Sequence, residues 1–349
     1  MLDTIKLHLK DYEITGNSTL EVQPARFVSG TGEVVSEFPL FRNSTGRTFY
    51  GSKAFLNNEK WNLTLKPVGY STSGTACFLH FSIPKIHNGN NFYSVGEYGT
   101  EAVFNQVEQE LAENGINTNL KNAELSRVDT FKNIQAEQSF DSYSTLFQLL
   151  KCNRGIKRDY GTTFLLSNSQ QEFTVYDKLV EMQNRGISTS EFPENTQRYE
   201  HRLLNRNKIK SVYGFSSAAD IFKGGYQVIR QKQVESWKQS LFCYSVEEVV
   251  TLGSKQLEQE MAIFKNRFGS TWFQWFLKSY GAYYLARFAG VEVVKTALES
   301  LEADRMKVWR TVKILEKAKR EMDFAKTEQN SEKTLGELYQ ELQQKVCLN

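Results

Sequence analysis

A tyrosine, a lysine and a glutamate stand close together in Phe173-Thr174-Val175-Tyr176-Asp177-Lys178-Leu179-Val180-Glu181. Upstream lies Ser126-Arg127-Val128-Asp129, and downstream Arg198-Tyr199-Glu200-His201-Arg202. Each run reads as a strand, and each carries a carboxylate where an apolar residue is the ordinary choice. Asp129, Glu181 and Glu200 offer the hard oxygen donors that Mg²⁺ or Mn²⁺ takes, often as a few carboxylates completed by a substrate phosphate. A tyrosine with a free pKa of about 10 is a poor nucleophile at neutral pH. A nearby ammonium or metal ion favours its phenolate and activates it. The chemistry this set suggests is tyrosine attack on a phosphodiester, assisted by a divalent metal.

Period two along a strand puts Thr174, Tyr176 and Lys178 on one face, so Tyr176 and Lys178 would address one substrate. Glu181 follows where the chain turns towards a helix, which brings its side chain back to that end of the strand. Arg127 shares a face with Asp129, and Arg198 and Arg202 share one with Glu200. These arginines would meet a DNA backbone phosphate or the pentavalent phosphorus. The same residues also fit a plainer reading, in which Lys178 is solvated and the arginines and carboxylates are structural bridges. The four histidines, His8, His80, His87 and His201, contain no His-x-His pair. That removes a histidine-paired metal site, although His80 and His201 could each add one ligand.

The proportions are those of a globular protein: 349 residues, 40% hydrophobic and 24% charged. A net charge of only +3 means that any nucleic-acid surface must come from local clustering. Aromatic residues reach 13%, which fits a dense core or base-stacking platforms. Cys77, Cys152, Cys243 and Cys347 have no CxxC or zinc spacing and read as reduced thiols. The start, Met1 to Tyr12, alternates charged and apolar residues without the apolar core of a signal peptide. No segment approaches the roughly 18 apolar residues of a membrane span, so a cytoplasmic protein with no membrane partner is expected.

The elements that must position these residues fall into two parts, 1–215 and 216–349. In the first, Asp3 to Leu9 alternates with Ile5, Leu7 and Leu9 on one face, and Ala76 to Ser82 is a second strand. Ala102 to Glu113 has helical periodicity ended by Asn114-Gly115. Leu125 to Phe131 is a strand, and Ser142 to Leu150 reads as a helix capped by Asp141. Thr162 to Leu166 and Glu172 to Tyr176 form a hairpin. The expected class is α+β, an antiparallel sheet with helices on one face, followed by an α-helical C-terminal domain. In that second part Ser245-Val246-Glu247-Glu248 opens a helix with a capping box. Trp272 to Ala289 is strongly apolar, and Tyr283 to Leu298 has a helix-turn-helix cadence that an ordinary helical hairpin shares. Met306 to Ala325 is a basic amphipathic helix whose Arg310 and Lys313 would contact duplex phosphates, and a final helix follows Thr327.

Taken together these runs resemble the filamentous-phage replication initiator family, the gene II product type, over roughly residues 1–222. The resemblance is carried by Met1-Leu2-Asp3-Thr4-Ile5-Lys6-Leu7 and by Ser82-Ile83-Pro84-Lys85 followed by Gly89 and Asn91. It continues through Ser126 to Asp129, Val175 to Glu181 and Arg198 to Arg202. It implies a rolling-circle initiator of a phage or plasmid in a bacterial host. Such a protein nicks one strand of its origin, stays joined to the 5′ phosphate through tyrosine, and later religates the displaced strand. It implies Tyr176 as nucleophile, with Lys178 beside it and Mg²⁺ or Mn²⁺ on Asp129, Glu181 and Glu200. Related plasmid initiators carry their tyrosine on the preceding strand, where this chain has Phe164; Tyr160 is the fallback. Arg127, Arg198, Arg202 and Lys85 would contact DNA. The implied partners are double-stranded origin DNA and single-stranded DNA, with a host helicase, a polymerase and a second copy of the chain left open. The competing class is a non-catalytic origin-binding or regulatory protein.

Overall fold

The computed structural model describes residues 1–23, 39–51, 53–67, 75–269, 272, 276, 291–301, 304–325 and 333–347. Its strands are β1 (Leu2–Leu9), β2 (Tyr12–Ile14), β3 (Glu21–Gln23), β4 (Pro39–Arg42), β5 (Thr48–Tyr50), β6 (Lys53–Asn57), β7 (Trp61–Pro67), β8 (Thr75–Ser82), β9 (Ile116–Thr118), β10 (Glu124–Gln135), β11 (Ile156–Asp159), β12 (Thr163–Ser167), β13 (Gln171–Asp177) and β14 (Thr196–Leu203). Its helices are α1 (Ile83–Asn88), α2 (Glu97–Glu113), α3 (Ser144–Phe147), α4 (Lys178–Asn184), α5 (Arg206–Tyr213), α6 (Tyr226–Ser240), α7 (Val246–Phe268), α8 (Val291–Leu301), α9 (Arg305–Ala325) and α10 (Leu335–Cys347). Ten strands form one sheet in the order β11-β12-β13-β14-β10-β1-β8-β7-β6-β3. The α+β class, the antiparallel sheet and the helical C-terminal region are those the sequence predicts.

The described chain divides into two compact units. The first comprises Met1–Asn133, Ser167–Thr174 and Tyr199–Gln233; the second comprises Ile134–Leu166, Val175–Arg198 and Val234–Asn349. In the first unit the antiparallel register lays apolar residues in rows across three strands. Ile5 faces Phe81, which faces Trp61; Leu7 faces Leu79, which faces Leu63; Leu9 faces Cys77, which faces Leu65. All of these are buried. A row of the alternate residues runs on the opposite face: Arg127, Lys6, His80 and Asn62 lie directly opposite one another across β10, β1, β8 and β7. Because side chains alternate along a strand, the apolar rows all point to one side and the polar row to the other.

Helix α2 supplies Val103, Phe104, Val107 and Leu111 to the apolar rows. Phe104 meets Phe81 and Phe222 edge-on at centroid distances of 5.3 and 5.1 Å. Glu110 of α2 accepts the Trp61 Nε1–H at 2.6 Å, which fixes the helix against β7. The helix starts at Glu97 rather than Ala102, because Thr100 is buried and its hydroxyl donates back to Gly96. It ends at Asn114, and Gly115 follows with φ +79°, where a Cβ would lie 2.6 Å from Thr15 Oγ1. The predicted helix over Ser142–Leu150 is shorter, a 3₁₀ turn over Phe140–Tyr143 leading into α3. Ser139, not Asp141, precedes the turn.

The second unit holds a separate apolar cluster in which Leu257 and Met261 of α7 meet Val293, Val294, Ala297 and Leu298 of α8 and Val308 and Leu315 of α9. The capping box at α7 forms as predicted, with Ser245 Oγ accepting the Glu248 N–H and the Glu248 carboxylate accepting the Ser245 N–H. Trp272 and Phe276 are buried, whereas the rest of the predicted Trp272–Ala289 segment and residues 283–290 of the helix-turn-helix cadence lie outside the described residues. The final helix is α10, whose Glu341 is buried and accepts the Tyr143 hydroxyl at 3.0 Å and the Glu137 N–H at 2.9 Å. Among the described residues no helix is long and apolar enough to cross a membrane, and no disulfide joins Cys77, Cys152, Cys243 and Cys347.

Replacing Phe104 by Ala removes a fully buried ring between two others, and urea unfolding of the variant should show a loss of about 3–5 kcal/mol with an unchanged slope.

Candidate active site and its charge cluster

Asp129 sits on β10 with its side chain 3% exposed. Arg127 is two residues away on the same strand face and grips both carboxylate oxygens, Nε to Oδ1 at 2.7 Å and Nη2 to Oδ2 at 2.6 Å. Arg202 of β14 reaches the same centre, with Nε 3.8 Å from Asp129 Oδ2. It donates to Glu200 Oε2 from Nη2 at 2.5 Å and from Nε at 3.1 Å, and to Glu172 Oε1 from Nη1. The faces inferred from period two for Arg127 with Asp129 and for Glu200 with Arg202 are therefore realised. Glu172 is the member the sequence reading missed. Its signal was there: it lies two residues before Thr174 and four before Tyr176 on one face of β13.

Asp129, Glu172 and Glu200 thus meet the guanidiniums of Arg127 and Arg202. Burial pushes the Asp129 carboxyl up to about 6, against the pull of Arg127 and Arg202. Burial also lowers the Arg202 pKa, but Glu200, Asp129 and Glu172 outweigh it and raise the guanidinium above its ordinary value. The hydrogen bond to Asp129 does the same for Arg127, against burial. Charges this deep persist only when paired, so the cluster is mutually dependent.

Tyr176 lies near the end of β13 and is 8% exposed. The strand stops one residue later, because the Asp177 carboxylate accepts the N–H groups of Leu179 and Val180 at 3.0 and 3.1 Å and caps α4. Lys178 is consequently the first residue of a helix, and strand alternation does not place it as predicted. Its side chain is fully buried, with Nζ 2.7 Å from Glu181 Oε2, so it is not a solvated lysine. Glu181 does follow on a helix, as predicted, and its other oxygen pairs with Arg185 Nε at 2.6 Å. Tyr160, the fallback, is 62% exposed just after β11.

Among the described residues no group of three or more His, Cys, Asp and Glu side chains is placed to hold a metal ion. Arg127 and Arg202 occupy the oxygens of Asp129 and Glu200 in the arrangement shown. The carboxylate oxygens are donors of the kind a hard cation takes. His201 is a core residue: it is fully buried, its ring stacks on Phe173 at 4.3 Å, and burial lowers its pKa to about 3. Arg198 is also fully buried, whereas Lys85 is exposed in the last turn of α1. On α9 Arg310 and Lys313 are exposed, Lys313 pairing with Glu316 at 2.8 Å, while Val308, Thr311 and Leu315 turn inward.

Residues 62–223 match the family model for the N-terminal domain of the phage CRI replication-associated protein, the gene II product. That similarity spans a little under half of the chain. The matched region begins in β7, ends after α5 and contains Arg127, Asp129, Glu172, Tyr176, Lys178, Glu181, Glu200 and Arg202. No curated protein matches the chain.

Replacing Arg202 by Met leaves Glu172 and Glu200 without their cation and should cost about 3–5 kcal/mol in urea unfolding. Adding Glu200→Gln should recover part of that loss. A double variant that loses the sum of the single changes would show the two side chains to be energetically independent.

Proposed function

We propose that the matched region is a DNA nicking and strand-transfer enzyme of a rolling-circle initiator, with Tyr176 as its nucleophile. The observation that carries the reading is the single matched domain, in which a tyrosine closes one strand while neighbouring strands bear a buried set of acids and arginines. The Tyr176 oxygen would attack the scissile phosphorus, giving up its proton and forming a phosphotyrosine. The P–O3′ bond breaks, and the 3′ oxygen leaves as a hydroxyl that can prime synthesis. Attack by a later 3′-OH on the phosphotyrosine reverses the step and closes a circle without loss of bond energy.

Lys178, held by Glu181, is assigned the role of keeping positive charge at the end of the tyrosine strand, where it favours the phenolate. Arg127 and Arg202, with Arg198 and Lys85, are assigned to backbone phosphates and to the charge that develops on phosphorus. We assign Mg²⁺ or Mn²⁺ to Asp129 and Glu200, with Glu181 as the third expected ligand; when bound, it would neutralise charge on the phosphate. The partners in this reading are double-stranded origin DNA and single-stranded DNA in a bacterial cytoplasm.

Tyr176→Phe should abolish the covalent adduct with labelled single-stranded origin DNA and leave binding nearly intact, since only a hydroxyl is removed. Asp129→Asn and Glu200→Gln should each remove cleavage that depends on added Mg²⁺. An adduct that survives Tyr176→Phe moves the assignment to Tyr160. DNA binding without any adduct in the native protein would favour a non-catalytic origin-binding protein.

Helix α9 carries Lys307, Arg310, Lys313 and Lys317 exposed at three- and four-residue spacing, and we assign duplex binding to this face. The double replacement Arg310→Ala, Lys313→Ala should weaken duplex binding and flatten its log–log salt slope by about 0.9 for each phosphate no longer neutralised. Cleavage of a short single-stranded site should survive the change.

A further inference from the structure

The polar face of the first unit holds a pocket of about 180 Å³ lined by Lys6, Asn62, Thr64, Lys66, Phe78, His80 and Arg127. That is roughly the share of six water molecules in the liquid. Its wall follows from the register already described. Arg127, Lys6, His80 and Asn62 stand in one line across four strands, and Phe78 faces Thr64 in the line beside it. No charged residue of the wall is acidic.

Three cations converge here. Arg127 is committed to Asp129, but among the described residues Lys6 and Lys66 have no carboxylate partner. Lys6 lies over the Phe78 ring at 4.7 Å, and its pKa is lowered by burial and then by repulsion from Lys66 and Arg127. The Nε2 atom of His80 is buried and has no hydrogen-bond partner. Burial, then Arg127, Lys6 and Lys85, lower the His80 pKa to about 4, so the ring is neutral at physiological pH and can donate one N–H. A sheet face with uncompensated ammonium groups, an unsatisfied ring nitrogen and an apolar wall lacks an anion that also has an apolar part.

We propose that this pocket is a subsite for a backbone phosphate of single-stranded DNA, with Lys6, Lys66 and His80 on the phosphate oxygens and Phe78 against the adjoining deoxyribose. The proposal rests on the strand-transfer reading for the choice of ligand, but it involves none of Tyr176, Glu181 and Glu200. The pocket would read phosphate and sugar rather than base identity.

The test uses the full chain and fluorescence anisotropy with two labelled probes of equal length, an oligothymidylate and an abasic strand. Lys66 is exposed, so Lys66→Ala should leave the melting temperature unchanged. It should weaken binding of both probes by about three- to tenfold at low salt. The log–log salt slope should flatten by about 0.7, the single-strand value for one phosphate. Lys66→Arg should restore most of the affinity. The control is Lys60→Ala, whose ammonium lies 3.9 Å from Glu110 of α2, and it should change neither quantity. Inorganic phosphate should compete only weakly, because it lacks the sugar. Unchanged affinity and slope in Lys66→Ala would overturn the subsite. So would an equal loss in Lys60→Ala, a loss confined to the oligothymidylate, or full competition by inorganic phosphate. The adduct assay on the native protein is independent of all this: if no adduct forms but Lys66→Ala still weakens both probes, the strand-transfer reading fails and the phosphate subsite stands.

Discussion

A buried carboxylate must be paired, and the polar part of the matched region is arranged around that requirement. Asp129 is almost wholly removed from water, yet two arginines reach it from different strands. Arg202 in turn joins Glu200 on its own strand to Glu172 on the next. A set of this kind is a poor way to gain stability, since apolar residues of similar volume often do as well or better. What it provides is acids and guanidiniums held at one place on the sheet. A phosphate approaching it meets guanidiniums whose bidentate geometry suits its oxygens, and a cation meets carboxylates already gathered. Any cost of burying these charges falls on the apolar rows on the other side of the sheet.

Those rows set the second constraint. Side chains alternate, so every strand that gives Ile5, Leu7 or Leu79 to the core must give Lys6, His8 or Phe78 to the opposite face. A single register slip would exchange the two sets. The polar face is therefore as well determined as the core, although few of its residues pack tightly. This explains how lysines and a histidine far apart in sequence come to line one pocket.

Much of this was legible in the sequence. The alternation in Asp3–Leu9 marked a central strand with its buried face correctly identified, and Asn114-Gly115 marked the end of α2. The Ser245–Glu248 capping box formed as expected, and Arg127 and Asp129 meet as their spacing implied. Lys178 was misplaced because strand periodicity was carried one residue past Asp177, where capping of the next helix wins. Helix α3 came out short although Leu146, Phe147, Leu149 and Leu150 are all buried, so apolar spacing there marked burial without a continuing helix. Glu172 was overlooked although its spacing puts it on the Tyr176 face; its pairing with Arg202 crosses strands and cannot be read from spacing along one. The same holds for the pocket.

Glu341 has a consequence for how the molecule is made. Its carboxylate is fastened to Tyr143 and to the backbone of Glu137, positions 198 and 204 residues earlier in the chain. Lys345 of the same helix reaches back 210 residues to the Gln135 carbonyl. The segment from Gln135 to Tyr143 therefore leaves the ribosome long before the residues that complete its packing. During that interval Phe140 and Tyr143 have local ring contacts with Phe147 but lack the cover that α10 brings. Non-local contacts of this span close slowly, and chains awaiting them are prone to association. The segment from Gln135 to Tyr143 is thus exposed to chaperones and proteases until α10 has been made.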